Sequence, residues 1–218
     1  MRRPRVLVFA SGSKDKGGSG FLHLILNMSA GVLPVDIVGV VCHHENGGVR
    51  KIADKHHIRF FPMASFTEED YRRVALESGA EWFLLSGWLK KVCGLDPGRT
   101  INIHPGPTDC YGGNGMYGHH VHDAIIAAGE ALSAVTMHFV DADYDRGPTF
   151  FVYPVSTSSC GNGDDLGALV NRYEHGWQSF VTWLVVSGQI SWTGRKEDEV
   201  EVPYWYRMMP FCPERLRI

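Results

Sequence analysis

Long apolar runs are missing from this sequence of 218 residues, and their absence excludes several classes of protein. No run reaches the roughly 18 residues that a membrane-spanning helix needs, so we expect no membrane partner. The run behind the basic first residues covers only residues 6–10, which is too short for the core of a signal peptide. The five cysteines are scattered and odd in number, which does not predict a disulfide framework. We therefore expect a cytoplasmic protein.

A strong charge of one sign is also missing. Lys and Arg number 21 and Asp and Glu number 24, a formal net charge of −3 that gives no indication of a nucleic-acid partner. Hydrophobic residues make up 44% of the chain, which excludes a disordered protein. A chain of this length buries roughly 70% of its unfolded surface around one core. We expect a main domain over residues 1–190, with residues 191–218 as a C-terminal aromatic arm or hairpin packed on it.

Short apolar runs alternate with helical patterns in the first half of the chain. Strands are predicted over residues 6–10, 35–42, 58–61, 82–85 and 100–104, with helices between most of them. This alternation predicts an α/β protein with a Rossmann-like open, mostly parallel sheet and helices on both faces. Later strands at 135–140 and 149–155 are predicted to pair as an antiparallel hairpin, and a long helix covers 164–186.

A loop rich in glycine follows the first predicted strand, over residues 11–20. Glycines let a ligand approach the backbone, and the helix that follows offers free N–H groups to an anion. The loop does not end like a Walker loop and does not match the dinucleotide fingerprint. Taken by itself, it is consistent with phosphate binding and with a flexible turn.

Two polar residues, Asn102 and His104, lie in a strand that is otherwise apolar. Because they are two positions apart, both side chains leave the same face of the strand. An isolated pair of this kind is most often a hydrogen-bonded strand end. The alternative is an amide donor and an imidazole that act on one reacting carbonyl group.

Three acids, Asp141, Asp143 and Asp145, follow the strand at 135–140. Such a cluster can bind a divalent metal, but the closing Glu of a calcium loop is missing. One carboxylate can instead orient a histidine and stabilise its charge. An ordinary acidic turn is the third interpretation.

Patterns of metal-dependent and covalent catalysis are missing elsewhere. The remaining histidines do not have the usual zinc-ligand spacing, and we expect the pairs at 43–44 and 56–57 to be solvated. No Gly-x-Ser-x-Gly elbow is present. The cysteines are predicted to be packing residues: Cys42, Cys93, Cys110, Cys160 and Cys212.

Taken together and in order, these segments resemble the folate-dependent formyltransferase family. The resemblance covers about residues 5–190 and rests on the glycine loop, Ser86-Gly87-Trp88-Leu89-Lys90, Asn102-Ile103-His104-Pro105, Asp145-x-Gly147-Pro148 and Glu174-His175. It implies transfer of a formyl group from the co-substrate 10-formyltetrahydrofolate to an amine, without a metal. Among the acceptors of this family, the length, the glycine loop and Glu174 favour glycinamide ribonucleotide of purine biosynthesis.

The resemblance also implies roles for single residues. Asn102, His104 and Asp145 match the catalytic trio. A protonated His104 and the Asn102 amide would stabilise a tetrahedral oxyanion, and Asp145 would orient His104 and favour its charged form. The implied contacts are Gly12, Ser13, Gly18, Ser19 and Gly20 to the substrate phosphate, Pro105 and Glu174 to the rest of the substrate, and Trp88, Leu89, Lys90, Val92, Val140, Asp141 and Asp143 to folate.

Other acceptors and one other class remain open. Residues 106–118 depart from the family's pattern, which leaves an amino-sugar nucleotide possible as acceptor. Members that act on methionyl-tRNA usually carry a further C-terminal domain, and hydrolases an N-terminal regulatory domain, neither of which we expect here. A non-catalytic nucleotide- or folate-binding module would require the trio's side chains to point apart. We expect small-molecule partners and a monomer or homodimer.

Overall fold

One mixed sheet organises the computed structural model, which describes residues 2–13 and 17–217. In this described part, seven strands have the order β3-β2-β1-β4-β5-β6-β7. The first five are parallel, and β6 is antiparallel to β5 and β7. The predicted α/β fold, including its antiparallel later strands, is confirmed. The strands are β1 (Arg5–Phe9), β2 (Asp36–Cys42), β3 (Phe60–Pro62), β4 (Trp82–Ser86), β5 (Thr100–His104), β6 (Leu132–Phe139) and β7 (Thr149–Ser156).

Helices follow most of the parallel strands. At the start of the third helix, Thr67 accepts from the Asp70 backbone N–H and Asp70 accepts from the Thr67 N–H, which together form a capping box. No helix in the part of the chain that the structure describes is long and apolar enough to cross a membrane. The helices are α1 (Ser19–Ser29), α2 (Gly48–Lys55), α3 (Glu68–Ser78), α4 (Thr108–Tyr111), α5 (His119–Ala127), α6 (Gly163–Val186) and α7 (Tyr204–Arg207).

The core lies on both faces of the sheet. Val6 and Val8 of β1 pack with α1 and α6 on one face, whereas Leu7 and Phe9 pack with α3 on the other. All four side chains are fully buried. Burying a side chain of this size stabilises a fold by about 1.5–3 kcal/mol. The apolar run that predicts β1 is therefore the centre of the molecule.

Two strand boundaries differ from the prediction for reasons of pairing. β6 begins at Leu132 rather than 135, because Leu132 pairs with Ser156 at the far end of the antiparallel ladder. β3 includes Pro62, which lies on an edge strand, where a missing N–H removes no ladder hydrogen bond. Neither the ladder nor the edge position is visible in local sequence.

The cysteines are all free, but they do not all pack. Cys42 and Cys212 are buried, and Cys93 and Cys160 are partly buried. Cys110 is exposed on the short helix α4, so the predicted packing role is wrong for this residue.

Residues after 190 fold back on the sheet. Ser191 and Glu201 form an antiparallel bridge, and the Trp192 ring lies 5.6 Å from the Phe139 ring. Further along, the Tyr206 hydroxyl donates to the Phe150 carbonyl of β7 at 2.7 Å. The C-terminal arm therefore packs against β6 and β7.

Candidate active site

A cavity of about 710 Å³ opens at the carboxyl ends of β1, β4 and β5. Ligands bind at this edge in open parallel sheets, because the loops that leave neighbouring strands diverge there. The structure brings every site residue predicted above to this cavity, whereas Lys14, Asp15 and Lys16 of the glycine loop lie outside the described residues. The lining includes Gly12, Ser13, Gly18, Ser19, Gly20, Trp88, Leu89, Lys90, Val92, Asn102, His104, Pro105, Val140, Asp141, Asp143, Asp145 and Glu174.

The predicted trio lies together with His138 in one polar cluster, which we call the catalytic cluster: Asn102, His104, His138 and Asp145. Asn102 Nδ2 lies 3.3 Å from Asp145 Oδ1, and His104 Nδ1 lies 3.6 Å from Asp145 Oδ2. The side chains therefore converge. This geometry is the opposite of what a non-catalytic module requires.

Asp145 is the centre of the cluster. Its backbone has a φ of 53°, a left-handed conformation that is rare for a residue other than glycine. Burial opposes ionisation of the carboxyl, but the hydrogen bond with His138, the charge of His104 and the Gly113 N–H at 3.0 Å outweigh it and lower its pKa. Asp145 is thus a carboxylate held in place by its neighbours.

Burial and the Asp145 carboxylate act on His104 in opposite directions. Burial lowers its pKa, despite the opposing effect of the Asp145 carboxylate, because a charged ring loses its hydration there. The ring is 97% buried, and its Nε2 donates to the Tyr111 carbonyl at 2.8 Å. This bond fixes the ring so that Nδ1 faces Asp145. Burial thus favours the neutral form of His104, whereas the Asp145 carboxylate favours the charged form.

His138 is a member of the cluster to which the sequence assigns no role. Its Nδ1 donates to the Phe139 carbonyl at 2.7 Å, and its Nε2 lies 3.1 Å from Asn102 Nδ2 and 3.5 Å from Asp145 Oδ1. His138 lies directly opposite Asn102 in the antiparallel pairing of β5 and β6. The available signal was a histidine within an apolar strand, but the register that places it beside Asn102 is not written in either strand.

The end of the cavity beside α1 is suited to an anion, and we call it the anion end. Gly18, whose φ is 87°, is the N-cap residue of helix α1, so the helix begins without a side-chain cap, and its first turn holds no acidic residue. A Cβ on Gly20 would collide with Ser86 Oγ, so the close approach of α1 to β4 requires glycine there. The first N–H groups of such a helix are available to a ligand.

Helix α6 forms the wall between the anion end and the cluster. Asn171 Nδ2 donates to Glu174 Oε2 at 3.3 Å, and both residues line the cavity. Burial raises the pKa of the Glu174 carboxyl to about 7, although the Asn171 hydrogen bond favours its ionised form. Glu174 is therefore well placed to exchange hydrogen bonds with a polar ligand.

The opposite wall is aromatic. Trp88 Nε1 donates to the Tyr71 hydroxyl at 2.9 Å, and the Lys90 ammonium lies 5.2 Å from the centre of the Phe66 ring. His43 packs edge-on against Trp88 and Phe66, and its Nδ1 is buried without a hydrogen-bond partner among the described residues. The prediction that His43 is solvated is therefore wrong, because His43 directly follows β2 and packs against Trp88.

The remaining acids belong to a surface contact. Lys196 of the C-terminal arm lies 3.3 Å from Asp143 Oδ2 and 3.9 Å from Asp141 Oδ2. Asp145 points instead into the cluster. The three acids thus separate into two functions, and of the three sequence-based interpretations the orientation of a histidine describes Asp145.

The cavity holds an ionised carboxylate among hydrogen-bond donors, and it also holds a helix end that suits an anion. Both features fit an enzyme that transfers a group between two bound molecules. The class that the fold and the site define is therefore an α/β group-transfer enzyme. The family model described as formyl transferase matches residues 4–182, and the chain belongs to this family. The resemblance seen in the sequence is confirmed.

Proteins that resemble this chain in sequence or in structure agree with this assignment. Phosphoribosylglycinamide formyltransferase, chloroplastic, of Arabidopsis thaliana is 29% identical over 211 residues, which cover 91% of this chain and 70% of the relative. The chloroplastic protein of the same name from Vigna unguiculata is 29% identical, over 88% of this chain and 64% of the relative. The crystal structure of phosphoribosylglycinamide formyltransferase from Bacillus halodurans has a TM-score of 0.72 at 23% identity, over 84% of this chain and 94% of that chain, and shows the same fold.

Proposed function

We propose that the protein transfers the formyl group of 10-formyltetrahydrofolate to the amine of glycinamide ribonucleotide, a step of purine biosynthesis. The observation that carries this proposal is that the catalytic cluster and the anion end share one cavity. A phosphorylated acceptor that spans them would place its amine near Asn102 and Asp145. The names of the plant relatives and membership of the formyl transferase family support the same reaction.

The cluster supplies what amine attack on a formyl carbon needs. The amine loses a proton as the new C–N bond forms, and the carboxylate of Asp145 can accept it. His104 Nδ1, 3.6 Å from Asp145 Oδ2, is the next acceptor, and the imidazolium it becomes is stabilised by that carboxylate. Negative charge that develops on the formyl oxygen is stabilised by this cation and by the Asn102 amide. The departing nitrogen takes up a proton, so the cluster returns to its neutral-histidine state.

The walls beside the cluster fit a folate. The co-substrate supplies the activated formyl group when it is bound. Val92 and Trp88 offer apolar surface, and the Asp141 and Asp143 segment offers polar groups at the rim of the same wall. Cavities of several hundred cubic ångströms with few polar groups are typical small-molecule sites. We propose Trp88, Leu89, Lys90, Val92, Val140, Asp141 and Asp143 as the folate contacts, and Gly12, Ser13, Gly18, Ser19, Gly20, Pro105 and Glu174 as the acceptor contacts.

The working environment follows from this reaction. Both substrates are small molecules, and we propose a monomer or homodimer that works in the cytoplasm. The plant relatives are named chloroplastic, which makes a plastid the alternative compartment. Imaging of the full-length protein with a C-terminal fluorescent tag separates the two.

The test is an acceptor comparison with purified protein and 10-formyltetrahydrofolate. Mass spectrometry should detect formylated glycinamide ribonucleotide, whereas an amino-sugar nucleotide should remain unmodified. Free formate, measured without an acceptor, reports hydrolysis. Formyl transfer to the amino sugar alone, or formate release at the rate expected for transfer, would contradict the proposed acceptor.

A further inference from the structure

Two histidines stack on each other at the anion end of the cavity. The rings of His23 on α1 and His175 on α6 lie 3.8 Å apart between centroids, with an angle of 14° between their planes. His23 is one helical turn beyond Ser19, on the same face of α1. His175 follows Glu174 and lines the cavity together with Gly18, Ser19 and Gly20. The stack therefore joins the two helices that enclose the anion end.

One nitrogen of this stack is left without a hydrogen bond by the residues that the structure describes. His175 Nε2 is buried and makes no hydrogen bond among the described residues. A buried polar atom left unpaired costs free energy, roughly 1–3 kcal/mol, which a ligand with an acceptor oxygen would recover. Glu174 and the uncharged Asn171, Gln178 and Ser86 line the same cavity as His175. Lys90 is directed to the Phe66 ring instead.

His175 carries no charge at neutral pH without a ligand. Burial and the neighbouring His23 together lower the pKa of His175 to about 4. Two imidazoles this close repel each other when both are charged, so the pair takes up one proton more easily than two. An anion beside the rings reverses the balance, because it stabilises the charged form.

We propose that the His23–His175 stack recognises the phosphate of the acceptor and takes up one proton from solvent as the phosphate binds. This inference rests on the proposed function, since it identifies the group that matches the acceptor's charge. A phosphate dianion at the start of α1 would receive backbone N–H bonds and a charge-assisted bond from the imidazolium. Affinity for the acceptor should then fall as pH rises, because the required proton becomes scarcer. Deprotonation of Glu174, with its pKa of about 7, acts in the same direction and must be separated by a variant.

The experiment is isothermal titration calorimetry of the full chain with glycinamide ribonucleotide and, separately, with inorganic phosphate. Titrations at one pH in buffers of different ionisation enthalpy measure the protons taken up. We compare wild type with His175→Gln and with His23→Phe, which keeps an aromatic stack but cannot carry a proton. Glu174→Gln reports the carboxyl's share, and His57→Asn controls for loss of an unrelated exposed histidine. Melting curves confirm that each variant is folded.

Both stack variants should bind either ligand about tenfold more weakly and lose proton uptake, whereas the KM for 10-formyltetrahydrofolate should not change. Wild-type affinity and uptake in both variants would overturn the proposal. So would a loss that is confined to a Lys14→Ala/Lys16→Ala variant, or to Glu174→Gln. Turnover of the wild type is measured in parallel. Without formyl transfer, stack-dependent uptake of inorganic phosphate would still establish the anion site while the proposed function fails.

Discussion

The two ends of the cavity are built in opposite ways. In the catalytic cluster, Asn102, His104, His138 and Asp145 all bond to other protein groups. At the anion end, α1 begins without a side-chain cap and His175 Nε2 is buried without a partner among the described residues. The difference shows what each end must do. Groups that stabilise transient charge are fixed by the protein in advance, whereas groups that hold a ligand's permanent charge stay unpaired until it binds.

The largest effect should come from the carboxylate that centres the cluster. Asp145→Asn removes the charge that stabilises His104 as an imidazolium and the acceptor of the amine's proton. We expect kcat to fall by at least about 10²–10³, with little change in either KM, in steady-state formyl transfer. Asp54→Asn is the matched control, since Asp54 pairs with Arg50 on the surface and does not line the cavity. If Asp145→Asn keeps turnover within threefold of wild type, the charge of the transition state does not develop beside this cluster.

A smaller loss should follow when a support of the cluster is removed. His138→Phe fills a similar space but leaves the Asn102 amide without its 3.1 Å partner. We expect about a tenfold lower kcat, the value of one hydrogen bond that orients a catalytic group. Ser133→Ala controls for a polar change on the same strand, because Ser133 Oγ has no partner among the described residues. Equal effects from the two variants would mean that β6 contributes packing alone.

At the anion end, replacement of the buried carboxyl should stabilise the protein while it weakens acceptor binding. The pKa of Glu174 is raised to about 7, so ionising it in the folded state is unfavourable above its unfolded pKa near 4.5. Glu174→Gln should therefore be more stable than wild type at pH 8, by up to roughly 3 kcal/mol in the free energy of unfolding. This gain in stability should vanish near pH 4.5. Differential scanning calorimetry across this range checks the sign. A gain that grows toward acid would contradict the assigned shift.

The smallest effect concerns the rim. Lys196→Ala removes an exposed contact with Asp141 and Asp143. Exposed ion pairs contribute about 0–1 kcal/mol, so we expect at most a few-fold higher KM for 10-formyltetrahydrofolate and an unchanged KM for the acceptor. Lys196→Arg should restore the wild-type value, and a change in acceptor KM would refute a role limited to the folate wall.

Local patterns predicted the strands and the face shared by Asn102 and His104, because each depends on a few neighbouring residues. His138 depends on strand register, which is fixed by the partner strand and not by its own residues. The lowered pKa of His104 depends on the burial of its ring beside Tyr111 of α4. Burial is a tertiary property. The prediction that His43 is solvated was wrong for the same reason, because its burial also depends on tertiary packing. The sequence thus predicted which kinds of side chain form the site, but it did not predict how burial shifts their pKa values.

The C-terminal arm has a consequence for the solution behaviour of the sheet. β7 is one of the two outer strands of the described sheet, and its outward groups are already engaged: Val152 N–H by the Phe211 carbonyl, the Phe150 carbonyl by Tyr206 and the Thr149 carbonyl by Arg215. An uncovered outer strand invites a second chain to add to it. The arm therefore protects this protein from edge-to-edge aggregation, and a chain that ended near residue 190 would be prone to assemble through β7.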